Sequence, residues 1–357
     1  MTHPLDQLLN RLGSDILASP HDDVVMTTGS RIGLPLEPSQ FREILPTETP
    51  KKMAFVDGGN GMVAESPAFI ISLNRLYYTI FRGRKRIGPD RISRVEFFSL
   101  TTRPVSSEGH LRYHTALFTH KDQHRSFMPD PSDVDSNVRH DALSMDTRIR
   151  TRARNLGEWR MAEKVACTLD DGDILVIDGS LMTHDATESR YAQAAFDAAK
   201  KQGVTICGLS KTSQLRTQSG EPLLVRAMEI AESVGYGMWS VRVAKEISAH
   251  DRGYVMAVKL HPKSPLAYRF EILREQFDDA DLDSILGSLA ANSQDGSYPG
   301  YPYGLIDADR FARVRNSDIH ICRGRLASMM RINPDLTRIE TAIQHASAHD
   351  YLNRVAG

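Results

Sequence analysis

Apolar positions along this chain fall into runs of two kinds, unbroken and helically spaced. In Asp173-Ile174-Leu175-Val176-Ile177-Asp178-Gly179-Ser180, four apolar residues run without alternation into an Asp and a turn. A short continuous apolar run bounded by turn residues predicts a strand buried on both faces. Lys52-Met53-Ala54-Phe55-Val56-Asp57-Gly58-Gly59 repeats the shape, and the run over 204–210 leads into Lys211 instead. Tyr191, Ala194, Ala195 and Ala198 keep helical spacing, which predicts a helix over 187–201 with Gly203 as its stop. Residues 173–211 therefore read as a β-α-β unit with parallel strands.

The rest of the pattern is coarser. Leu5, Leu8, Leu9, Leu12 and Ile16 mark a short amphipathic helix, and Pro35, Pro38, Pro46 and Pro50 mark an extended lead-in. Aromatic and β-branched runs over 68–81 and 94–100 predict two more strands, the first antiparallel to the Asp57 strand. Residues 101–135 are polar and read as a long excursion. Residues 137–169 read as one long helix or two consecutive ones. A helix over 222–234, strands over 238–243, 254–260 and 268–273, and helices over 279–292 and 336–354 complete the reading. No internal repeat appears.

Composition narrows the class. With 41% hydrophobic and 25% charged residues the chain reads as a soluble globular protein. No run approaches the roughly 20 apolar residues of a membrane span, and the N-terminus lacks the basic-then-apolar pattern of a signal peptide. Cys167, Cys207 and Cys322 are far apart, without zinc-site spacing, which points to a reducing, cytoplasmic setting. A net charge of −1 does not announce a nucleic-acid binder. Charge is local, however. Arg139, Arg148, Arg150, Arg152, Arg154 and Arg160 crowd one predicted helix, either as a solvated face or as a phosphate-tracking surface.

An acid at the end of a buried strand stands where an open α/β sheet meets solvent and binds ligands. Asp-Gly is also an ordinary turn signal, so either Asp alone is equally a cap. Two such carboxylates with a strand-end lysine form a candidate site for a divalent cation and a phosphodiester.

Four motifs in order carry a resemblance: the strand into Asp57-Gly-Gly, the strand into Asp178-Gly-Ser-Leu, Gly208-Leu-Ser-Lys211, and Tyr301-Pro-Tyr-Gly-Leu-Ile-Asp-Ala-Asp309-Arg. Over roughly residues 50–320 the chain resembles the NurA family of DNA nucleases, prokaryotic proteins that act with the HerA hexameric ATPase. The resemblance implies an α/β fold with an RNase H-like core, a mixed sheet flanked by helices. It divides the chain into a helix and lead-in over 1–50, the nuclease domain over 51–320 and a helical segment over 321–357. It further implies a homodimer that cuts single-stranded DNA and degrades DNA from 5′ ends with Mn²⁺ or Mg²⁺.

By the same resemblance Asp57 and Asp178 bind metal, and a helical glutamate, Glu163 with Glu158 as the alternative, completes the acidic set. Lys211 either neutralises the scissile phosphate or is an exposed lysine after a strand. Tyr301 either stacks a base or orients the phosphate, or it packs with Tyr303 beneath Pro302. Arg148, Arg150, Arg152, Arg154 and Arg160 line the DNA. The family usually has a histidine where this chain has Asp309. An Asp binds metal or accepts a proton but cannot act as a neutral imidazole, which leaves metal preference open.

Phosphodiester hydrolysis is served by two cations about 3.5–4 Å apart, and hard cations take oxygen ligands, in keeping with scattered cysteines. Two other readings stand beside this one: a metal-dependent phosphatase or phosphotransferase, and a non-enzymatic partner subunit of a translocase. The chain has no phosphate-binding glycine motif, so ATP would come from the partner.

Overall fold

The computed structural model describes residues 3–17, 31–88, 93–102, 111–138, 146–246, 253–278, 280–333 and 336–346. Arg139 and the end of the helix expected over 336–354 lie outside them. In chain order the strands are β1 Arg31–Gly33, β2 Arg42–Glu43, β3 Lys52–Ser66, β4 Phe69–Arg82, β5 Lys85–Gly88, β6 Arg94–Thr102, β7 Leu111–Phe118, β8 Ser136–Val138, β9 Ile174–Asp178, β10 Thr205–Ser210, β11 Trp239–Glu246, β12 Gly253–Lys259 and β13 Tyr268–Leu273. The helices are α1 Pro4–Leu17, α2 Pro131–Val134, α3 Asp146–Ala166, α4 Ala186–Lys201, α5 Leu223–Val234, α6 Arg274–Phe277, α7 Leu282–Asn292, α8 Tyr303–Ala312, α9 Asn316–Ile332 and α10 Thr337–Ala346.

One mixed sheet holds these strands in the order β1-β11-β12-β13-β10-β9-β3-β4-β6-β7-β8, with β2 beside β11 and β5 beside β4. β9 runs parallel to both β3 and β10, whereas β3, β4 and β6 form an antiparallel meander. Helices cover both faces, and the whole is an α/β fold with an RNase H-like core. The unbroken apolar runs follow from this sandwiching. Leu175 and Ile177 face α3 and α4, while Ile174 and Val176 face the core under α7 and α8.

The structure departs from the sequence reading in four places. Residues 111–134 are not an excursion, because β7 adds to the sheet edge and α2 follows. Part of the lead-in is sheet as well, since β1 and β2 both pair with β11. The helix α9 lies largely within the helical segment expected over 321–357 but begins at Asn316, so the boundary expected at residue 320 falls inside it. Finally, β3 runs on past Asp57 to Ser66, through Gly58, Gly59 and Gly61.

Helix α8 lies directly on β3. A Cβ on Gly304 would stand 2.1 Å from the ring of Phe55, a side chain with no exposure. Overpacking a filled core typically costs about 1–3 kcal/mol. Gly304→Ala is therefore expected to lower the denaturant midpoint by that amount. Gly324→Ala has open space around its Cβ inside α9, and is expected to stabilise by up to about 1 kcal/mol through helix propensity. Equal effects at both positions would contradict this packing.

Candidate active site

Asp57, Asp178 and Asp309 each bring one carboxylate oxygen within 4.8 Å of the others. Asp57 comes from the middle of β3, Asp178 from the end of β9 and Asp309 from α8. Their strands must approach closely for this. A Cβ on Gly208 would stand 2.5 Å from the Gly179 carbonyl oxygen, so only a glycine lets the Asp178 turn lie against β10. Gly179 itself sits at φ +134°, a backbone region that favours glycine, and donates to the Leu209 carbonyl at 3.0 Å.

Lys211 lies between two of the acids. Its Nζ donates to Asp178 Oδ2 at 2.7 Å and to Asp309 Oδ1 at 3.1 Å. Burial works against its charge, but the pull of Asp178 and then Asp309 prevails and lifts its pKa. It is not a free surface lysine. Asp309 Oδ2 accepts from Arg313 Nη2 at 2.6 Å.

Tyr301 approaches Asp178 from below, its hydroxyl donating to Oδ1 at 3.0 Å. The ring is 1% exposed and packs against Tyr268 and Tyr298. Such burial leaves no face for a stacked base; Tyr301 packs among tyrosines and meets the cluster only through its hydroxyl on Asp178. Burial, and then Asp178, push its phenol upward, which keeps the proton on the donor. Tyr303 packs edge-on to Phe81 instead.

The helical glutamate beside the cluster is Glu158, not Glu163. Gly58 turns its missing side chain toward α3, and a Cβ there would stand 2.5 Å from Glu158 Oε1. Glu163 is five residues on, about 140° further round the helix, and pairs with Arg160 at 3.0 Å. Sequence alone offered no sign of this, because both glutamates carry an arginine partner on the same helix. Arg154 binds Glu158 at 2.6 Å and also reaches the Gly58 carbonyl at 3.3 Å.

Most of the arginine run is paired within the fold. Arg150 pairs with Glu65 at 2.7 Å, Arg152 with Asp185, Arg154 with Glu158 and Arg160 with Glu163. Only Arg148 of the five is classed as exposed. Four of these charges are spent on the fold's own carboxylates.

Crowding the acids leaves its mark on their protonation. Burial first, then Asp178 and Glu158, push Asp57 up to about 8, against the opposing pull of Lys211 and the Gly58 N–H. Burial likewise lifts Glu158 to about 7, although Arg154 opposes it. Every candidate ligand is a carboxylate oxygen, and the separations suit oxygens around one hard cation, whose ligands lie about 2.0–2.6 Å from the ion. The donor set fits a hard divalent cation.

These elements span the region in which known proteins recognise the chain. The NurA domain profile matches residues 51–314. The crystal structure of the NurA nuclease from Sulfolobus solfataricus superposes with a TM-score of 0.52 at 11% identity, covering 92% of this chain and 95% of that one. Argonautes from A. aeolicus and Kluyveromyces polysporus align at TM-scores of 0.30, with 7% and 10% identity, over 74% and 78% of this chain and 29% and 28% of theirs. That overlap is too partial to support any argument. No curated protein matches the sequence. With the family profile covering most of its length and the acidic cluster inside that span, the chain belongs to the NurA family.

Proposed function

We propose that this protein is a metal-dependent deoxyribonuclease that hydrolyses phosphodiesters in single-stranded DNA and from 5′ ends. The observation that carries the reading is the convergence of Asp57, Asp178 and Asp309 within 4.8 Å, inside the span matched by the family profile. Asp57, Asp178 and Asp309 are the residues to hold Mg²⁺ or Mn²⁺, with Glu158 beside them. A bound divalent cation of this kind polarises the phosphoryl oxygens and lowers the pKa of an attacking water. Lys211 presents a point charge at the same cleft, and Tyr301 fixes the Asp178 carboxylate through its hydroxyl. Asp309 in the cluster favours an active site over an inert subunit. A HerA-type hexameric ATPase as partner, a homodimer and a cytoplasmic setting belong to the same proposal. No described helix is long and apolar enough to cross a membrane.

Loss of a ligand should exceed the roughly 10- to 100-fold cost of disturbing its outer-shell partners. Asp57→Ala and Asp178→Ala are thus expected to reduce cutting of labelled single-stranded DNA in Mn²⁺ by about a hundredfold or more. Glu158→Gln should cripple the enzyme while Glu163→Gln leaves it within about threefold of wild type, because Glu163 points away from the cluster and pairs with Arg160 instead. Cutting that persists in EDTA, or that survives Asp57→Ala, would remove the metal-dependent reading.

The raised Asp57 also fixes a pH dependence. In the unfolded chain this carboxyl loses its proton near its ordinary 3.8, whereas the metal-free fold holds it to about 8. Between those values the folded state binds the extra proton, so this group's contribution to stability falls as pH rises. A divalent cation takes the ionised form and competes with that proton. The rise in Tm caused by Mn²⁺ over EDTA is therefore expected to grow from about pH 6 to about pH 8.5. A flat or absent shift across that range would mean that no metal enters the cluster.

A further inference from the structure

The acidic cluster opens into a cleft of about 290 Å³ whose lining includes two cations, Lys211 and Arg313. Lys211 is committed to Asp178 and Asp309. Arg313 differs. It meets Asp309 through Nη2 alone, and its side chain is 66% exposed. A guanidinium carries five N–H donors in a rigid fork, so most of them still face the cleft and solvent.

The backbone beneath this side chain is held far more firmly than a surface arginine requires. On one side, a Cβ at Gly59 would stand 2.4 Å from the Ala312 carbonyl oxygen and 3.2 Å from Arg313 Cα, so the end of α8 lies flat on β3. On the other, buried Arg75 donates through Nη1 to the Arg313 carbonyl at 2.5 Å. Arg75 is itself fixed by Glu96 at 2.8 Å and Asp318 at 3.0 Å. Val314, the next residue, fills the space beside Gly61. A buried arginine, two glycines and two carboxylates thus set the place from which one exposed fork reaches the cleft mouth.

We propose that Arg313 grips a backbone phosphate of the DNA strand beside the acidic cluster, the role that sequence had assigned to the α3 arginines. The inference rests on the nuclease reading. The fork matches two phosphate oxygens at once, which a lysine cannot do. Small-molecule sites are concave and mostly apolar, whereas this cleft is open and lined by charges and glycine backbone. Charge points the same way. With Asp57 ionised to receive it, one divalent cation together with Lys211 and Arg313 outweighs the three carboxylates by one positive charge. The loaded cleft then attracts a polyanion, and Arg313 is the donor placed to meet it.

The test measures binding of a fluorescein-labelled single-stranded oligonucleotide in Ca²⁺, which takes similar oxygen ligands, and steady-state cutting in Mn²⁺. Wild type is compared with Arg313→Ala, Arg313→Lys and Arg331→Ala, the last an exposed arginine near the far end of α9, about 22 Å from that helix's start. Arg313→Ala is expected to raise both Kd and KM about tenfold and to lower the salt slope of binding by about one. Arg313→Lys should recover only part of the loss, and Arg331→Ala should match wild type. The Mn²⁺-induced rise in Tm should be unchanged in Arg313→Ala. Unchanged Kd, KM and salt slope would overturn the proposal. So would loss of the Mn²⁺-induced Tm rise to the extent seen in Asp309→Ala, since Arg313 would then merely prop Asp309. Wild-type protein that neither binds nor cuts DNA would defeat the nuclease reading itself, whereas cutting that Arg313→Ala leaves untouched defeats this assignment alone.

Discussion

Like charges held together at the edge of an apolar sheet set the terms for the rest of this molecule. Two ionised carboxylates 4.8 Å apart repel by roughly 3–4 kcal/mol at an effective dielectric of about 20. The surrounding structure absorbs that repulsion in three ways. Asp57 keeps its proton in the metal-free fold. Lys211 bridges Asp178 and Asp309, and Arg154 attends Glu158. Behind the acids, Phe55, Val56, Val176 and the rest of the strand cores are fully buried, each large side chain contributing about 1.5–3 kcal/mol. The apolar interior thus holds in place a polar edge that would not stay assembled alone. Of these, Lys211 also presents its charge in the cleft that the acids line.

Much of this was legible in the sequence, for a physical reason. A strand buried on both faces has no freedom to alternate, so its apolar run and the acid that ends it stand out in one dimension. Asp57, Asp178 and Lys211 were found that way. The choice between Glu158 and Glu163 was not legible, because it turns on which side of α3 faces Gly58, and both glutamates have an arginine within four residues. The pairing of the arginine run was hidden for a related reason. Its partners Glu65 and Asp185 come from a distant strand and a later turn, so neutralisation is invisible along the chain. The apolar pattern alone did not mark helix α9, because its apolar residues do not form one stripe: Ile319 and Met330 are buried while Ile321 and Ile332 lie exposed. Strand β7 escaped because residue type does not mark its buried face: Tyr113 and Thr115 are buried while His114, Ala116 and Phe118 lie exposed.

The glycines of β3 have a consequence for when the molecule becomes dangerous to its own substrate class. Gly58 receives Glu158, Gly59 receives the end of α8, and Gly61 receives Val314 and Ile319. Partners separated by 100 to 260 residues of chain thus dock into one four-residue notch. Until all of them have arrived, Asp309 and Glu158 have no fixed position beside Asp57. Contacts of such sequence separation form late, after the loops between them have closed. A nascent or partly unfolded chain therefore carries every reactive side chain and none of the geometry. Completion of the fold is itself the safety catch.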